Sequence, residues 1–321
     1  MYDNSNFPKA RKFWYMGKLY DWSQPVLHPM SHALHYGTSV FEGIRAYATA
    51  KGPAIFRLGE HLNRFFLSAS TLNMKIPFSQ AEIAKAIKLV IKENKLDYAY
   101  IRPLLFYSYG NLGLVPKTSP VELVIGAWEW EAYLGGKTRQ GVHAVLLPWR
   151  RFHRSQIPMS AKLGGIYVQS AICGSEARQK GYDEAVFLNL EGHVAEGPGE
   201  NIFIVKNGRL KTNAANESIL EGITRLSILE IARNLKIETA VGPITKDEFF
   251  LADEIFFTGT AVEVAPIVQV TDDSNPQAPK NKYIIGNGKA GKMTLELSQV
   301  YQQVASGQTK DYEKWLTYVY D

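Results

Sequence analysis

Lys162 lies in PMSAKLGGIY, among Ser160, Ala161, Gly164 and Gly165. Small neighbours let a flat ligand approach, and the lysine precedes a predicted helix rather than standing on an exposed helical face. A primary amine so placed suits a Schiff base with a carbonyl. Free lysine titrates near ~10.4, so imine chemistry near neutrality needs surroundings that favour the neutral or imine form. In VAEGPGEN, 194–201, Glu196 starts a tight turn carrying Gly197 and Gly199 between two apolar runs. A carboxylate held there can keep a heteroaromatic ring nitrogen protonated, which makes such a ring an electron sink. The same pattern also fits a plain strand-turn-strand with a surface glutamate.

In LEGITRLSILEIAR, 220–233, Gly222 comes just before Ile223 and Thr224 open an apolar-periodic helix. Its first-turn N–H groups and the Thr224 hydroxyl make an anion site. TGTA, 258–261, follows EIFF and brings Thr258 and Thr260 to a glycine turn with more N–H groups. Tyr100 and Arg102 alternate with Ile101 and Pro103, so a strand puts a phenol and a guanidinium on one face, ready for a carboxylate. An exposed arginine beside a half-buried tyrosine reads equally well. His28, His32 and His35 have no Cys, Asp or Glu at ligand spacing, and no metal is expected.

In chain order, MSHALHYGTSVFEGIRAY (30–47), EHLNRF (60–65), AYIRP (99–103), SAKLGG (160–165), AEGPGENIF (195–203), GITR (222–225) and FTGTAVEVAP (257–266) closely resemble the branched-chain amino-acid aminotransferases. That is a fold-type IV pyridoxal-phosphate family, and the match runs from about Phe13 to Pro266. The resemblance implies an α+β chain, D-amino-acid aminotransferase-like, with two α/β domains and pyridoxal 5'-phosphate between them. Lys162 would form the Schiff base with the cofactor and move the proton. Glu196 would bond the pyridine nitrogen, Tyr167 the phenolic oxygen, and Leu220 would pack on the ring. Arg64, Ile223, Thr224 and Thr260 would hold the phosphate.

On the substrate side, the resemblance has Tyr100 and the N–H groups of Thr260 and Ala261 bind the α-carboxylate. Tyr36, Phe41 and Tyr133, with Gly43 beside them, would enclose the side chain. Arg102 would meet the distal carboxylate of glutamate without spoiling apolar walls, since a guanidinium at a rim stays partly solvated when its partner is absent. The implied reaction is ping-pong transfer from L-leucine, L-isoleucine or L-valine to 2-oxoglutarate. D-amino-acid aminotransferases, R-selective amine transaminases and aminodeoxychorismate lyase share the fold, but Tyr100, Arg102 and the GTA of 259–261 favour the L-branched-chain type. Family members are at least homodimers. The chain departs from the pattern at Pro198, where a small residue is common, and at Leu112 and Leu114 in NLGLVP, 111–116, a loop that in the family reaches toward the partner's pocket.

Elements must position these residues. Ser79 and Glu82 read as a capping box, and Ile83, Ile87, Val90 and Ile91 line one face, so the spacing predicts a helix over 80–94. A second helix over 59–72 carries Leu62, Phe65, Phe66, Ala69 and Leu72. Aromatic and β-branched residues predict strands within 98–109 and 121–130. AYLGGKTRQG has the glycines and polar residues of a connection, which gives a small N-terminal α+β domain over 1–131, an interdomain loop over 132–142 and a larger cofactor-binding domain over 143–321. In the last, VHAVLLP and EAVFLNL read as strands and 166–180 as a helix ended by Gly181. IFIVK, Asn207-Gly208 and RLKT read as a hairpin. Helices are also predicted over 223–235 and 290–304.

The 321 residues, 45% hydrophobic and 21% charged, are those of an ordinary globular chain of two domains. The net charge of +5 comes from 36 basic and 31 acidic residues scattered together, and the one local run, Arg150, Arg151 and Arg154, reads as solvated surface. No nucleic-acid partner is expected, only amino acids, 2-oxo acids and further copies of the chain. The lone Cys173 forms no intrachain disulfide, the N-terminus lacks an apolar secretory run, and no stretch approaches the ~20 apolar residues of a membrane span. A cytoplasmic protein is expected.

Overall fold

Runs of aromatic and β-branched residues build both sheets of this computed structural model, which describes residues 6–24, 26–130, 134 and 140–320. The chain divides into two compact units: Met1–Glu131, Ala161–Ile166 and Gln303–Asp321 make the first, and Ala132–Ser160 with Tyr167–Gln302 the second. The architecture is α+β.

The first unit holds β1 (Lys12–Tyr15), β2 (Lys18–Asp21), α1 (His32–Tyr36), β3 (Ser39–Phe41), β4 (Ile44–Thr49), β5 (Gly52–Phe56), α2 (Leu58–Thr71), α3 (Gln80–Asn94), β6 (Ala99–Tyr107) and β7 (Val121–Trp128). The chain's last strand, Leu316–Tyr318, joins β5, β4, β6, β7, β1 and β2 in that order, with β3 paired to β6. Helix α3 starts on the predicted capping box: Ser79 accepts from the Glu82 N–H, and Glu82 accepts from the Ser79 N–H. Its buried face, Ile83, Ile87, Val90 and Ile91, packs on β1 and β7. Burying each aliphatic side chain stabilises by roughly 1.5–3 kcal/mol.

The second unit holds β8 (Val142–Arg150), α4 (Tyr167–Gln179), β9 (Glu184–Leu188), β10 (Asn201–Lys206), β11 (Arg209–Thr212), α5 (Ile223–Asn234), β12 (Thr239–Val241), α6 (Lys246–Phe250), β13 (Glu254–Gly259), β14 (Glu263–Asp272) and β15 (Asn281–Ile284). Helix α7 (Lys292–Ala305) follows. The sheet order is β12, β11, β10, β13, β14, β8, β9, with β15 on β14, and β8 runs parallel to both its neighbours. Both faces are covered: Val142, Ala144 and Leu146 of β8 belong to one core, while Val145 and Leu147 meet Cys173 and Ala177 of α4 in another. That burial explains why β9, after its first residue Glu184, is apolar at every position from Ala185 to Leu188. At the β10–β11 hairpin Asn207 and Gly208 have φ of 50° and 77°, as a type I′ turn requires. Among the described residues no helix is long and apolar enough to cross a membrane.

Candidate active site

In the first unit, Ala161–Ile166 is fastened to β3 and α2. Val40 bridges Leu163, the Phe41 N–H donates to the Lys162 carbonyl at 3.3 Å, and the Lys162 N–H donates to Ser68 Oγ at 2.8 Å. A Cβ on Gly164 would lie 2.1 Å from Ser39 Oγ, and one on Gly37, whose φ is 66°, 2.8 Å from Gly165 Cα. The glycines after Lys162 therefore admit the Ser39 hydroxyl and the Gly37 backbone at close range. With its backbone fixed, Lys162 places Nζ 4.8 Å from the Phe41 ring centre.

Arg102 meets the same ring, its guanidinium carbon 4.6 Å from the centre. As the strand alternation predicted, Arg102 shares a face with Tyr100, and its Nη2 donates to the Tyr100 hydroxyl at 2.9 Å. A Cβ on Gly43 would lie 2.1 Å from that hydroxyl, so glycine is what admits the phenol. Tyr100 packs edge-on to Trp130, centroids 4.6 Å apart. Lys162, Phe41, Gly43, Tyr100 and Arg102 are thus brought together. Arg102 Nε is buried with no hydrogen-bond partner among the described residues, a donor in an aromatic wall that suits an incoming carboxylate.

Arg64, on α2, grips the fully buried Glu42 through Nε and Nη2 at 2.7 and 2.8 Å. Burial alone would raise the Glu42 pKa, but Arg64 and the donated His61 bond hold it well below the usual carboxylate range. Burial also lowers His61, leaving it neutral with Nδ1–H donating to Glu42 at 2.8 Å. Glu42 so orients the guanidinium. Tyr36 faces the 111–116 loop, its hydroxyl donating to the Leu112 carbonyl at 2.8 Å. Tyr133 lies outside the described residues. His32 is buried between Thr38 Oγ1 and the Gly113 carbonyl, and His35 reaches the Pro29 carbonyl.

In the second unit Glu196 is buried and accepts Arg151 Nε at 2.8 Å on one oxygen. The other oxygen takes the Leu220 N–H at 3.1 Å and the Asn201 amide at 3.3 Å, and that amide also reaches the Leu220 carbonyl. A Cβ on Gly222 would sit 2.0 Å from Asn201 Oδ1. Gly222 is the N-cap of α5 and has no side-chain cap, so helix geometry leaves the N–H groups of Ile223 and Thr224 for an anion. Thr258 lies opposite Asn201 on β13, and its buried Oγ1 has no partner among the described residues. Past it, the turn bearing Thr260 and Ala261 runs beside the Gly197–Gly199 turn, for a Cβ on Gly259 would be 3.2 Å from the Gly199 carbonyl. Tyr167 opens α4. Helix-end N–H groups, threonine hydroxyls and a backed carboxylate fit a phosphorylated heteroaromatic with a basic ring nitrogen.

Sequence reasoning assigned no role to Glu42, His61, Arg151 or Asn201. Asn201 stands in the AEGPGEN motif, which was signal enough to ask what its amide holds. Nothing in the sequence separates Arg151 from Arg150 and Arg154, yet its side chain is only 3% exposed.

Two more carboxylates lie buried near Glu196. Burial, with Asp183 adding to it, raises Glu184 to about 7 despite the Ala185 N–H and Arg178. Burial and then the charge of Glu184 push Glu200 well above the usual range. Glu200 accepts the Gly199 N–H at 3.0 Å, while Glu184 Oε2 is buried with no partner among the described residues. The folded chain therefore keeps protons that the unfolded chain releases near ~4.3, and stability falls as pH rises from there through about 7. Glu184→Gln should raise the melting temperature at about pH 8 by several degrees, at roughly 2–4 °C per kcal/mol, and the gain should vanish near pH 4.5. Calorimetry across pH checks this; an equal gain at every pH would exclude the ionisation of Glu184 as its source.

The family model described as amino-transferase class IV matches residues 39–270. The branched-chain-amino-acid aminotransferase of Pseudomonas aeruginosa is 42% identical over 307 residues, 95% of this chain and 96% of its own. That of Escherichia coli strain K12 is 39% identical over 313 residues, 97% and 98%. Among solved structures, the T.th. branched-chain amino acid aminotransferase is 44% identical with a TM-score of 0.89, covering 97% of this chain and 99% of that one, both complexed with 4-methylvaleric acid and with N-(5'-phosphopyridoxyl)-L-glutamate. With that likeness running nearly the whole length, the chain belongs to the branched-chain-amino-acid aminotransferases, pyridoxal-phosphate enzymes of fold-type IV.

Proposed function

We propose that this aminotransferase takes the amino group of L-leucine, L-isoleucine or L-valine and passes it to 2-oxoglutarate, with the residues named above in the roles the sequence suggested. The observation that carries it is the placing of Lys162 and the Tyr100–Arg102 pair around one ring, Phe41. Bound pyridoxal phosphate supplies a carbonyl for the amino group and a ring that accepts the electron pair left when the α-proton departs. Lys162 Nζ takes that proton from the substrate α-carbon. With the cofactor bound, Glu196 would bond the ring nitrogen and Tyr167 the phenolic oxygen, and Leu220 would pack on the ring. Arg64, Ile223, Thr224 and Thr260 hold the phosphate.

Tyr100 with the N–H groups of Thr260 and Ala261 holds the α-carboxylate, and Phe41, Gly43, Tyr36 and Tyr133 shape the side-chain space. Arg102 meets the distal carboxylate of glutamate. The two complexes of the T.th. enzyme, one with an apolar branched acid and one with a glutamate adduct, support a pocket of this dual kind. Exposed Leu34, Tyr36, Tyr109, Leu114 and Val115, tied together by the Tyr36–Leu112, His32–Gly113 and Ser31–Tyr109 contacts, support a homodimer or higher homo-oligomer. A single buried cysteine supports a cytoplasmic location.

The test is the absorption spectrum of the protein with its cofactor during separate additions of L-leucine, D-alanine and R-phenylethylamine. Loss of the yellow band with L-leucine alone, restored by 2-oxoglutarate, is the expected result. A response to D-alanine or the amine would move the chain to a sister activity, and no yellow band would overturn the cofactor assignment.

A further inference from the structure

We propose that Arg151 is a positioning residue of the cofactor site, which keeps Glu196 ionised and locks it in one geometry with the helix turn that carries Tyr167. The inference rests on the proposed role of Glu196 at the ring nitrogen. Glu196 acts there only as a carboxylate: a neutral acid would offer a proton instead of accepting one. Yet its side chain is 5% exposed, and burial alone disfavours the charge. The negative charge of Glu196 is felt at the buried, proton-holding Glu200, beside Glu184, and Arg178 faces both of those acids. The Arg151 guanidinium and two neutral donors, Leu220 N–H and the Asn201 amide, favour the charged form of Glu196. Arg151 brings a full positive charge into contact with Glu196, at 2.8 Å.

The same guanidinium reaches α4. Its Nη1 donates to Ser170 Oγ at 3.2 Å and lies 3.4 Å from Gln169 Oε1, and Gln169 in turn donates to the Arg150 carbonyl at 2.8 Å. Tyr167 opens that turn. Arg151 is itself fixed by its N–H to the Leu188 carbonyl, at 2.8 Å, and by the Phe187 ring 5.1 Å beneath its guanidinium carbon. One side chain therefore couples the carboxylate proposed for the ring nitrogen to the phenol proposed for the ring oxygen. A planar fork does this where an ammonium, a single point charge, holds Glu196 but not the helix turn as well.

The experiment titrates the full-length wild type, R151M, R151K, E196Q and the R151M/E196Q double variant with pyridoxal phosphate and with its 1-deaza analogue, which has carbon in place of the ring nitrogen. Dissociation constants are read by fluorescence and stability by calorimetry. R151M should weaken pyridoxal phosphate roughly tenfold to a hundredfold and the deaza analogue little, since the loss is that of one charge-assisted contact. R151K should recover part of it, and R151M should add nothing to E196Q. Equal weakening of both ligands by R151M, or no weakening, while E196Q still discriminates between them, would overturn the role of Arg151 alone. An E196Q that treats both ligands alike would instead remove the role of Glu196, and this inference with it.

Discussion

Lys162→Ala should still take up the cofactor but lose turnover by at least about 10³-fold, since general base catalysis alone contributes roughly 10²–10⁴. The fold should survive, because what pins this segment is backbone: the Lys162 N–H to Ser68, its carbonyl to the Phe41 N–H, and the Val40–Leu163 bridge. Of the residues proposed for the phosphate and ring nitrogen, Arg64 keeps its bond to Glu42, Glu196 keeps Arg151 and Asn201, and Thr224 stays buried in the first turn of α5. Stopped-flow absorbance with L-leucine measures the chemical step, and added methylamine should restore part of the rate by standing in for the lost amine. Turnover within tenfold of wild type would remove Lys162 from its central place.

Arg102→Ala should separate the two substrates. For glutamate and 2-oxoglutarate, kcat/KM should fall roughly 10- to 150-fold, the range expected for loss of one charged hydrogen bond. For leucine the loss should stay within a few-fold, because Phe41 and the aromatic side chains around Tyr100 remain to face an apolar chain. Arg102→Met, which keeps the apolar stem over Phe41, should leave leucine closer still to wild type. Steady-state kinetics on both half-reactions decide it: equal losses on leucine and glutamate would mean that Arg102 supports the wall without reading the distal carboxylate. Because its Nη2 already donates to Tyr100, some common loss from a displaced phenol is expected in Arg102→Ala, and the ratio between substrates is the informative quantity.

Local features were legible without a structure. The α3 capping box, the Asn207-Gly208 turn and the shared face of Tyr100 and Arg102 depend on residues at most three apart, so φ/ψ preference and side-chain period suffice to read them. Helices over 80–94, 166–180 and 223–235 were likewise expected from apolar spacing, and they are found at Gln80–Asn94, Tyr167–Gln179 and Ile223–Asn234. The roles proposed for Lys162, Glu196 and the α5 N-terminus came from residue type together with the family resemblance carried by the order of motifs along the chain.

What the sequence by itself determined, then, is the family and the elements, with a candidate set of reactive groups placed on them. Tertiary structure decided which charges are buried and what each one holds. Arg151 reads as one of three basic surface residues until Glu196, 45 residues away, takes its Nε. Glu42 joins His61 and Arg64 across 19 and 22 residues, and Glu184 and Glu200 become proton-holding acids only inside the second unit. Ala161–Ile166 groups with the first unit through β3, and Leu316–Tyr318 does so by pairing with β5. The physical reason is range: dihedral preference and periodicity act over a few residues, whereas desolvation and charge pairing exist only once distant segments have excluded water between them.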